Sequence, residues 1–175
     1  MIMRFLITLL VFLPSILSAQ NEGIRWMSFT EAMAKRQTEP KQIFIDMYTD
    51  WCGWCKRMDA TTFAHPEVVK YMNENYYAVK FNTEKEGPIS INDTTYVVNP
   101  KYGRNGTHEL AVLLLQGQMS YPTFVFMDEQ LNLLSPLPGF QTPEQIEPVM
   151  RFFGEGHYLK NPWDEYSKKF SPTWK

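Results

Sequence analysis

IFIDMYTDWCGWCK, the sequence of residues 43–56, contains both cysteines of this 175-residue chain. The run from Gln42 to Tyr48 is nearly continuously apolar and β-prone, which is typical of a central strand covered on both faces. Cys52 and Cys55 follow it, and a helical pattern begins after them. The segment therefore predicts a buried strand with two closely spaced thiols at its junction with a helix.

The spacing of the two cysteines favours a redox pair over a structural brace. A disulfide across two intervening residues closes a very small loop and stabilises a fold by only about 2 kcal/mol. At a helix N-terminus, by contrast, the helix dipole and free N–H groups stabilise a thiolate at Cys52. Cys55 is then placed to attack the mixed disulfide that Cys52 forms with a partner.

A zinc site is the main alternative use of these thiols. It would combine Cys52 and Cys55 with two of the three histidines, His65, His108 and His157. The histidines are scattered, and a second paired motif is lacking. We therefore expect no metal, and no cofactor beyond the redox-active disulfide itself.

Length and charge limit the classes of protein to consider. The chain is long enough for one domain with a sizeable core. Its formal net charge of -2 gives no electrostatic reason to expect nucleic acid, whose binding needs a clustered cationic face. We predict a single globular domain that does not bind nucleic acid.

The first residues have the pattern of a secretory signal peptide. Arg4 precedes an apolar run at residues 5–13, and small residues follow up to Ala19. The run is shorter than the roughly 20 residues that span a bilayer, so a permanent anchor is the weaker interpretation. We expect residues 1–19 to be removed and residues 20–175 to form one monomeric extracytoplasmic domain, in the periplasm, without stable membrane insertion.

A β–α–β unit is predicted around the cysteines. Ser28 and Glu31 form the pattern of a capping box that opens a short helix through about Lys35. A helix that starts at Pro66 leads into the β-prone run Tyr76 to Phe81, expected to lie parallel to the first strand. The domain core is expected to cover about residues 28–154.

The second half of the chain is predicted to hold an antiparallel strand pair between two helices. Thr107 is expected to cap a helix that ends at Leu115. The strand at residues 123–127 should pair with a second strand that runs through Leu134. A final helix should cover residues 143–153.

Two segments lie outside this pattern. Residues 83–106 are rich in Gly, Pro, Asn and Asp, and predict a long surface loop or small hairpin that recognises a partner. Within it, residues 84–86 are interpreted as a solvated turn. The tail, residues 155–175, is expected to dock on the domain or on a partner because it carries four large aromatic residues. These are Trp163, Tyr166, Phe170 and Trp174.

Several segments resemble, in order, those of the thioredoxin-like superfamily. Residues 43–56 look like its strand and active-site segment, and residues 79–82 like its next parallel strand. Residues 121–126 resemble the segment that bears its cis-proline, and Gly139 falls where its last strand meets the closing helix. The resemblance implies an α/β thioredoxin fold, with a central mixed β-sheet flanked by helices. The enlarged loop before the cis-proline segment and the aromatic tail are departures from it.

The same resemblance implies roles for individual residues. Cys52 is the nucleophile and Cys55 the resolving thiol, while Asp46 handles the proton of Cys55 with Lys80 nearby. The Tyr121–Pro122 bond is expected to be cis. The expected substrate-binding residues flank the cysteines and the cis-proline, and they are Trp51, Gly53, Trp54, Tyr121 and Pro122.

Asp46 is a carboxylate inside an apolar strand, where an unpaired charge is strongly disfavoured. If the two strands of the β–α–β unit are parallel neighbours, Lys80 can approach Asp46 and partly compensate its burial. We expect burial to raise the pKa of Asp46 more than Lys80 lowers it. The alternative is a hydrogen-bonded aspartate with a structural role.

The sequence thus predicts an exported thiol–disulfide oxidoreductase that acts on protein disulfides and is supplied with electrons by an upstream thiol carrier. Reduction is the favoured direction, but Trp54 stands where thioredoxin has proline, so a disulfide isomerase or oxidant is the alternative. A further alternative is a non-catalytic interaction module that binds proteins through residues 83–106 and the tail.

Overall fold

The computed structural model describes residues 23–175. The expected signal peptide, residues 1–19, lies outside the described residues, and its removal stays a prediction. In the part described, no helix is long and apolar enough to cross a membrane.

The described residues form six α-helices and eight strands. The α-helices are α1 (Phe29–Lys35), α2 (Gly53–Ala60), α3 (Pro66–Asn75), α4 (Glu109–Leu114), α5 (Pro143–Gly154) and α6 (Trp163–Lys169). The strands are β1 (Gln42–Tyr48), β2 (Tyr76–Asn82), β3 (Ile89–Ile91), β4 (Thr94–Tyr96), β5 (Val98–Asn99), β6 (Thr107–His108), β7 (Thr123–Met127) and β8 (Leu133–Pro138). Short 3-10 helices occur at Thr62–Ala64 and His157–Leu159.

The central sheet is mixed and has the strand order β2-β1-β7-β8. β1 lies parallel to β2 and antiparallel to β7, and β8 lies antiparallel to β7. Because β1 has neighbours on both sides and helices over both faces, its nearly continuous apolar sequence is buried from Gln42 to Met47, and Tyr48 is partly exposed. The predicted thioredoxin fold, with a mixed sheet flanked by helices, is confirmed.

Alternation along β1 sends its side chains into two separate cores. Phe44 packs in a core with residues of α3 and α5, whereas Ile43 and Ile45 pack in a second core with residues of α1 and α4. Asp46 differs from Phe44 by two positions and therefore points to the same side of the sheet. Met58 of α2 also belongs to the Phe44 core, so the helix after the cysteines covers that side.

Several predicted elements are confirmed. α1 begins after Ser28, whose side chain accepts the N–H of Glu31 in a complete capping box. α3 begins at Pro66, and β2 pairs with β1 in parallel. The β–α–β unit therefore places the cysteines at a strand-to-helix junction.

Two predicted boundaries were wrong. Thr107 lies in β6, and the cap of α4 is His108, whose Nδ1 accepts the N–H of Leu110 at 3.2 Å. β8 ends at Pro138 and not at Leu134. Its prolines fit an edge strand, which hydrogen-bonds to a neighbour on one side alone.

The helix predicted as the final one is followed by α6. The sequence carried a signal for α6, because acidic residues occupy its first turn and lysines its last, as the helix dipole favours. The expectation that the tail docks on the domain is confirmed for Trp174, which is 2% exposed and packs 5.4 Å from the ring of Tyr71.

Residues 83–106 form more structure than one hairpin. β3 and β4 make the small hairpin, and its turn places Asn92 and Asp93 at positive φ, as in a type I′ hairpin turn. β5 pairs with β6, which ties the end of the segment to the start of α4. The loop is therefore anchored at both ends beside the cysteine segment.

Candidate active site at the cysteine pair

Cys52 and Cys55 form a disulfide at the start of α2, with their Cα atoms 5.3 Å apart. The chain turns after β1, and the N–H of Cys52 donates to the carbonyl of Thr49 at 3.1 Å. Cys52 is the N-cap of α2, and its Sγ accepts the N–H of Cys55 at 3.0 Å. The sulfur of Cys52 thus lies at the positive end of the helix dipole.

The position of Cys52 at the start of α2 does not expose it in this disulfide form. Cys52 is 4% exposed and Cys55 is 2% exposed, so both are buried. The capping position explains this, because the Cys52 sulfur turns toward the backbone at the helix start. Exposure does not distinguish the two thiols, but position on the helix does.

The Tyr121–Pro122 bond is cis, as predicted. The carbonyl of Pro122 accepts the N–H of Gly139 at 2.8 Å, and Gly139 has a φ of +90°, a conformation that favours glycine. The ring of Tyr121 lies 5.9 Å from the ring of Trp51, edge to face. This contact brings the cis-proline segment to the cysteine segment.

Asp46 is buried and pairs with Lys80, its register partner on the parallel strand. Lys80 Nζ donates to Asp46 Oδ2 at 2.6 Å. The other oxygen of Asp46, Oδ1, is buried without a hydrogen-bond partner among the described residues. Lys80 also donates to Asp59 on α2, which sequence analysis missed. The sequence did carry a signal for Asp59: it lies on α2 four positions after Cys55, and therefore on the same face of the helix as that cysteine.

Burial raises the pKa of Asp46 to about 6, although Lys80 opposes the rise. Burial also lowers the pKa of Lys80, but Asp46 and Asp59 outweigh it and raise this pKa overall. The result for Asp46 agrees with the expectation that burial prevails there. The site therefore holds a carboxyl group that gains and loses a proton close to neutral pH.

Aromatic rings surround the ammonium group of Lys80. Its Nζ lies 4.8 Å from the ring centre of Trp26, 5.1 Å from that of Tyr48 and 5.5 Å from that of Phe63. Rings at these distances attract a cation. They fix Lys80 between the two carboxylates without adding a further charge.

The residues beside the cysteines present an aromatic surface. Trp51 is 62% exposed and Trp54 is 56% exposed. The Trp54 ring lies 5.6 Å from the ring of Phe140, and the Arg57 guanidinium lies 5.5 Å from the Trp54 ring. Gly53 is exposed, and a Cβ at this position would meet no atom within 4 Å. A partner can therefore approach the pair over the two tryptophans.

The predicted turn is present at residues 83–85, and Lys85 is exposed, but Glu84 and Lys85 also contact the cysteine segment. Glu84 accepts the Nε1–H of Trp51 at 3.0 Å, and Lys85 pairs with Asp50 at 2.5 Å. These contacts join residues 83–106 directly to the cysteine segment. Sequence analysis missed them because they bridge positions about 30 residues apart.

The structure does not bring the histidines to the cysteines. His108 is buried at the start of α4, His65 Nε2 lies 2.9 Å from the backbone oxygen of Lys175, and His157 contacts Glu155. Across residues 23–175, no group of three or more His, Cys, Asp or Glu side chains could hold a metal ion.

The sheet, the cis-proline and the cysteine pair define a thioredoxin-fold protein with a C-x-x-C site. Residues 13–140 match the family described as Thioredox_DsbH, protein of unknown function, DUF255, and the chain belongs to this family.

Known proteins of this fold are similar to the chain in structure. A thioredoxin-fold protein from Helicobacter pylori superposes with a TM-score of 0.58 at 22% identity, covering 82% of this chain and 83% of that one. A proposed disulphide-isomerase from Bacteroides thetaiotaomicron superposes with a TM-score of 0.52 at 28% identity, covering 76% of this chain and 95% of that one. Both likenesses agree with the thioredoxin fold.

The thiol:disulfide interchange protein DsbD of Cronobacter sakazakii is similar in sequence. It is 25% identical over 99 residues, which cover 57% of this chain and 14% of DsbD. The chain spans 11% to 18% of the length of the curated relatives it matches. The shared part is thus one segment of much longer proteins.

Proposed function

We propose that this chain is an exported thiol–disulfide oxidoreductase that reduces disulfides in protein partners. The observation that carries the proposal is the Cys52–Cys55 disulfide at the start of α2, joined through Trp51 and Tyr121 to the cis-proline segment. The similarity to a thiol:disulfide interchange protein and to a proposed disulphide-isomerase supports the same reaction class.

In the first step, the Cys52 thiolate of the reduced protein attacks one sulfur of a partner disulfide. A new S–S bond joins Cys52 to the partner, the partner's own S–S bond breaks, and its second sulfur leaves as a thiolate. The N-terminal end of α2 favours this attack because the helix dipole stabilises negative charge on Cys52 there.

In the second step, the Cys55 thiol loses its proton and attacks Cys52. The Cys52–Cys55 disulfide forms, the bond to the partner breaks, and two electrons have passed to the partner. We assign the proton of Cys55 to Asp46, because Asp46 Oδ1 has no hydrogen-bond partner within residues 23–175 and burial raises the pKa of this carboxyl to about 6. Lys80 is the positioning residue for Asp46.

The direction of electron flow and the compartment are parts of the same proposal. Reduction is favoured because the residues that match thioredoxin include Asp46, Lys80 and Pro122 as well as the cysteines. The signal-like pattern at residues 1–19 supports export to the periplasm, where an upstream thiol carrier would reduce the pair again. The mature chain is proposed to act as a monomeric single domain.

Insulin reduction by dithiothreitol tests the activity. The purified protein should accelerate precipitation of the insulin B chain, and a variant with serine at both Cys52 and Cys55 should not, while keeping the same circular dichroism spectrum. Equal acceleration by the double variant would reject the oxidoreductase and favour the non-catalytic interaction module.

Equilibration of the pair with glutathione tests the direction. Pairs on this fold range from about -270 mV in thioredoxin to about -120 mV in strong oxidants. A potential near the lower value supports a reductase. A potential near the upper value would replace it with the oxidant or isomerase alternative.

A further inference from the structure

An open cleft of about 430 Å³ lies beside the cysteine pair, between the cysteine segment and residues 83–106. The cleft adjoins both functional segments, because two of its lining residues, Trp51 and Tyr121, directly precede Cys52 and Pro122 in the chain. The cleft is lined by Trp51, Glu84, Gly103, Arg104, Asn105, Thr107, Met119 and Tyr121. Half of these residues belong to the enlarged loop, so the cleft is a product of that loop.

Hydrogen bonds to one carboxylate hold the wall of the cleft. Both oxygens of Glu84 accept the Nε1–H of Trp51, at 3.0 and 3.1 Å. Both also accept from Asn105 Nδ2, at 3.2 Å. Glu84 therefore fixes the exposed Trp51 ring and the far end of the loop to the same point.

The opposite side of the cleft is fixed as well. The hydroxyl of Thr83 donates to the hydroxyl of Tyr121 at 2.8 Å, and the N–H of His108 donates to the carbonyl of Thr83 at 2.7 Å. Gly103 has a φ of +71°, which lets the loop turn close to Thr107. The cleft is thus shaped before a partner arrives, which lowers the entropy lost on binding.

The two charged side chains that line the cleft, Glu84 and Arg104, differ in their contacts. The carboxylate of Glu84 is engaged by neutral donors from Trp51 and Asn105. Arg104 is exposed, and it forms no ion pair with any residue from 23 to 175. Its guanidinium is therefore the group with capacity to bind an anion, and carboxylates match its planar set of donors.

We propose that this cleft binds an acidic side chain of the partner, located close to the partner's reactive cysteine. The proposal rests on the proposed function, because it places that cysteine at Cys52. Because Trp51 and Tyr121 line the cleft next to Cys52 and Pro122, the cleft receives a side chain that is close in sequence to that cysteine. Arg104 binds its carboxylate, and the rings of Trp51 and Tyr121 pack against its stem.

Peptide binding tests the cleft separately from the redox reaction. Two fluorescent peptides carry serine in place of the reactive cysteine and differ at two neighbouring residues, Asp in one and Lys in the other. Anisotropy titrations use the oxidised protein, so no disulfide exchange occurs. The Asp peptide should bind about fivefold more tightly than the Lys peptide at low salt, and the difference should shrink as salt screens the charges.

Three variants make the result specific to Arg104. Arg104→Glu should invert the preference, and Glu84→Gln should increase it about twofold, because the amide still accepts from Trp51 but carries no charge. Lys160→Glu changes the same charge at an exposed position with no contact to the cleft, and should bind both peptides as the wild type does.

Two outcomes overturn the proposal. Equal affinity of the wild type for both peptides, or an unchanged preference in Arg104→Glu, would show that the cleft does not select acidic partners. Exchange of the reduced wild type with hydroxyethyl disulfide is measured in parallel. Its absence would reject the oxidoreductase activity, whereas its presence with no peptide preference would reject the cleft alone.

Discussion

Lys80 donates hydrogen bonds to two carboxylates at once, Asp46 on β1 and Asp59 on α2. Asp46 is 1% exposed, whereas the side chain of Asp59 is 48% exposed. The buried carboxyl group below the cysteine segment is thus linked to the protein surface through one ammonium group. This link determines how the site responds to pH and to substitution.

Replacement of Asp46 by asparagine should stabilise the protein above neutral pH. Burial raises the pKa of Asp46 from 3.8 to about 6 on folding, so the folded state holds this proton more tightly than the unfolded state. Stability therefore falls as the pH rises through this window, by up to about 3 kcal/mol, and Asn does not titrate. Urea unfolding of the oxidised proteins should show Asp46→Asn more stable at about pH 8 and nearly equal to the wild type at about pH 4. A gap between the two proteins that does not change with pH would contradict the raised pKa.

The same substitution should slow the release of the partner. Asn cannot take the proton of Cys55, so the mixed disulfide should last longer in Asp46→Asn, by about tenfold or more near neutral pH. Stopped-flow tryptophan fluorescence with a disulfide peptide measures this step. Wild-type rates across neutral pH would exclude the proton-transfer role and leave Asp46 a structural residue.

Asp59→Asn should lower the pKa of Asp46. The negative charge of Asp59 raises this pKa, and without it Lys80 is no longer shared between two carboxylates. We expect a decrease of less than about one pH unit, because solvent screens the exposed Asp59. The carboxyl ¹³C shift of Asp46, followed by NMR against pH, measures the change. Glu74→Gln removes an equal charge from an exposed position on α3 and should leave the titration unaltered.

The pairing of Asp46 with Lys80 could be predicted from the sequence because strands have a strict geometry. The apolar run identified β1, and the β–α–β pattern made β2 its parallel neighbour. In this parallel pair Asp46 and Lys80 are register partners, so their side chains lie within reach of each other. Asp59 could not be found in this way. Its contact depends on how α2 lies across the sheet, which local patterns do not determine.

The loop contacts were beyond prediction for a similar reason. Glu84 and Trp51 are separated by 33 positions, and nothing in the polar sequence of residues 83–106 indicates which side chain meets which. His108 was overlooked as a cap because histidine is not among the favoured N-cap residues. Tertiary packing, rather than local preference, set each of these details.

Trp174 should be the main anchor of the tail. It is 2% exposed, and its backbone N–H donates to the buried carboxylate of Glu147 at 2.9 Å. Trp174→Ala should lower the free energy of unfolding by about 3–5 kcal/mol, since it empties a large buried site. Trp163→Ala removes the same side chain from a position that is 38% exposed, and should lower it by about 1 kcal/mol. Equal losses in urea unfolding would mean that the tail is not docked through Trp174.

The two cysteines should behave differently in trapping experiments although both are buried in the disulfide. Cys52 caps α2 and accepts the N–H of Cys55, so the helix dipole stabilises a thiolate at Cys52 when the pair is reduced. Cys55 lies inside the helix and is the thiol that must resolve the complex. Cys55→Ser should therefore accumulate mixed disulfides with partner proteins, because the attack by Cys52 proceeds and its resolution does not. Cys52→Ser should accumulate none, and the double serine variant is the control for non-covalent association. Non-reducing gels after trapping in cells or in an extract show the complexes directly, and their loss on reduction confirms the S–S bond. Mixed disulfides that form through Cys55 and not through Cys52 would reverse the assignment of the nucleophile.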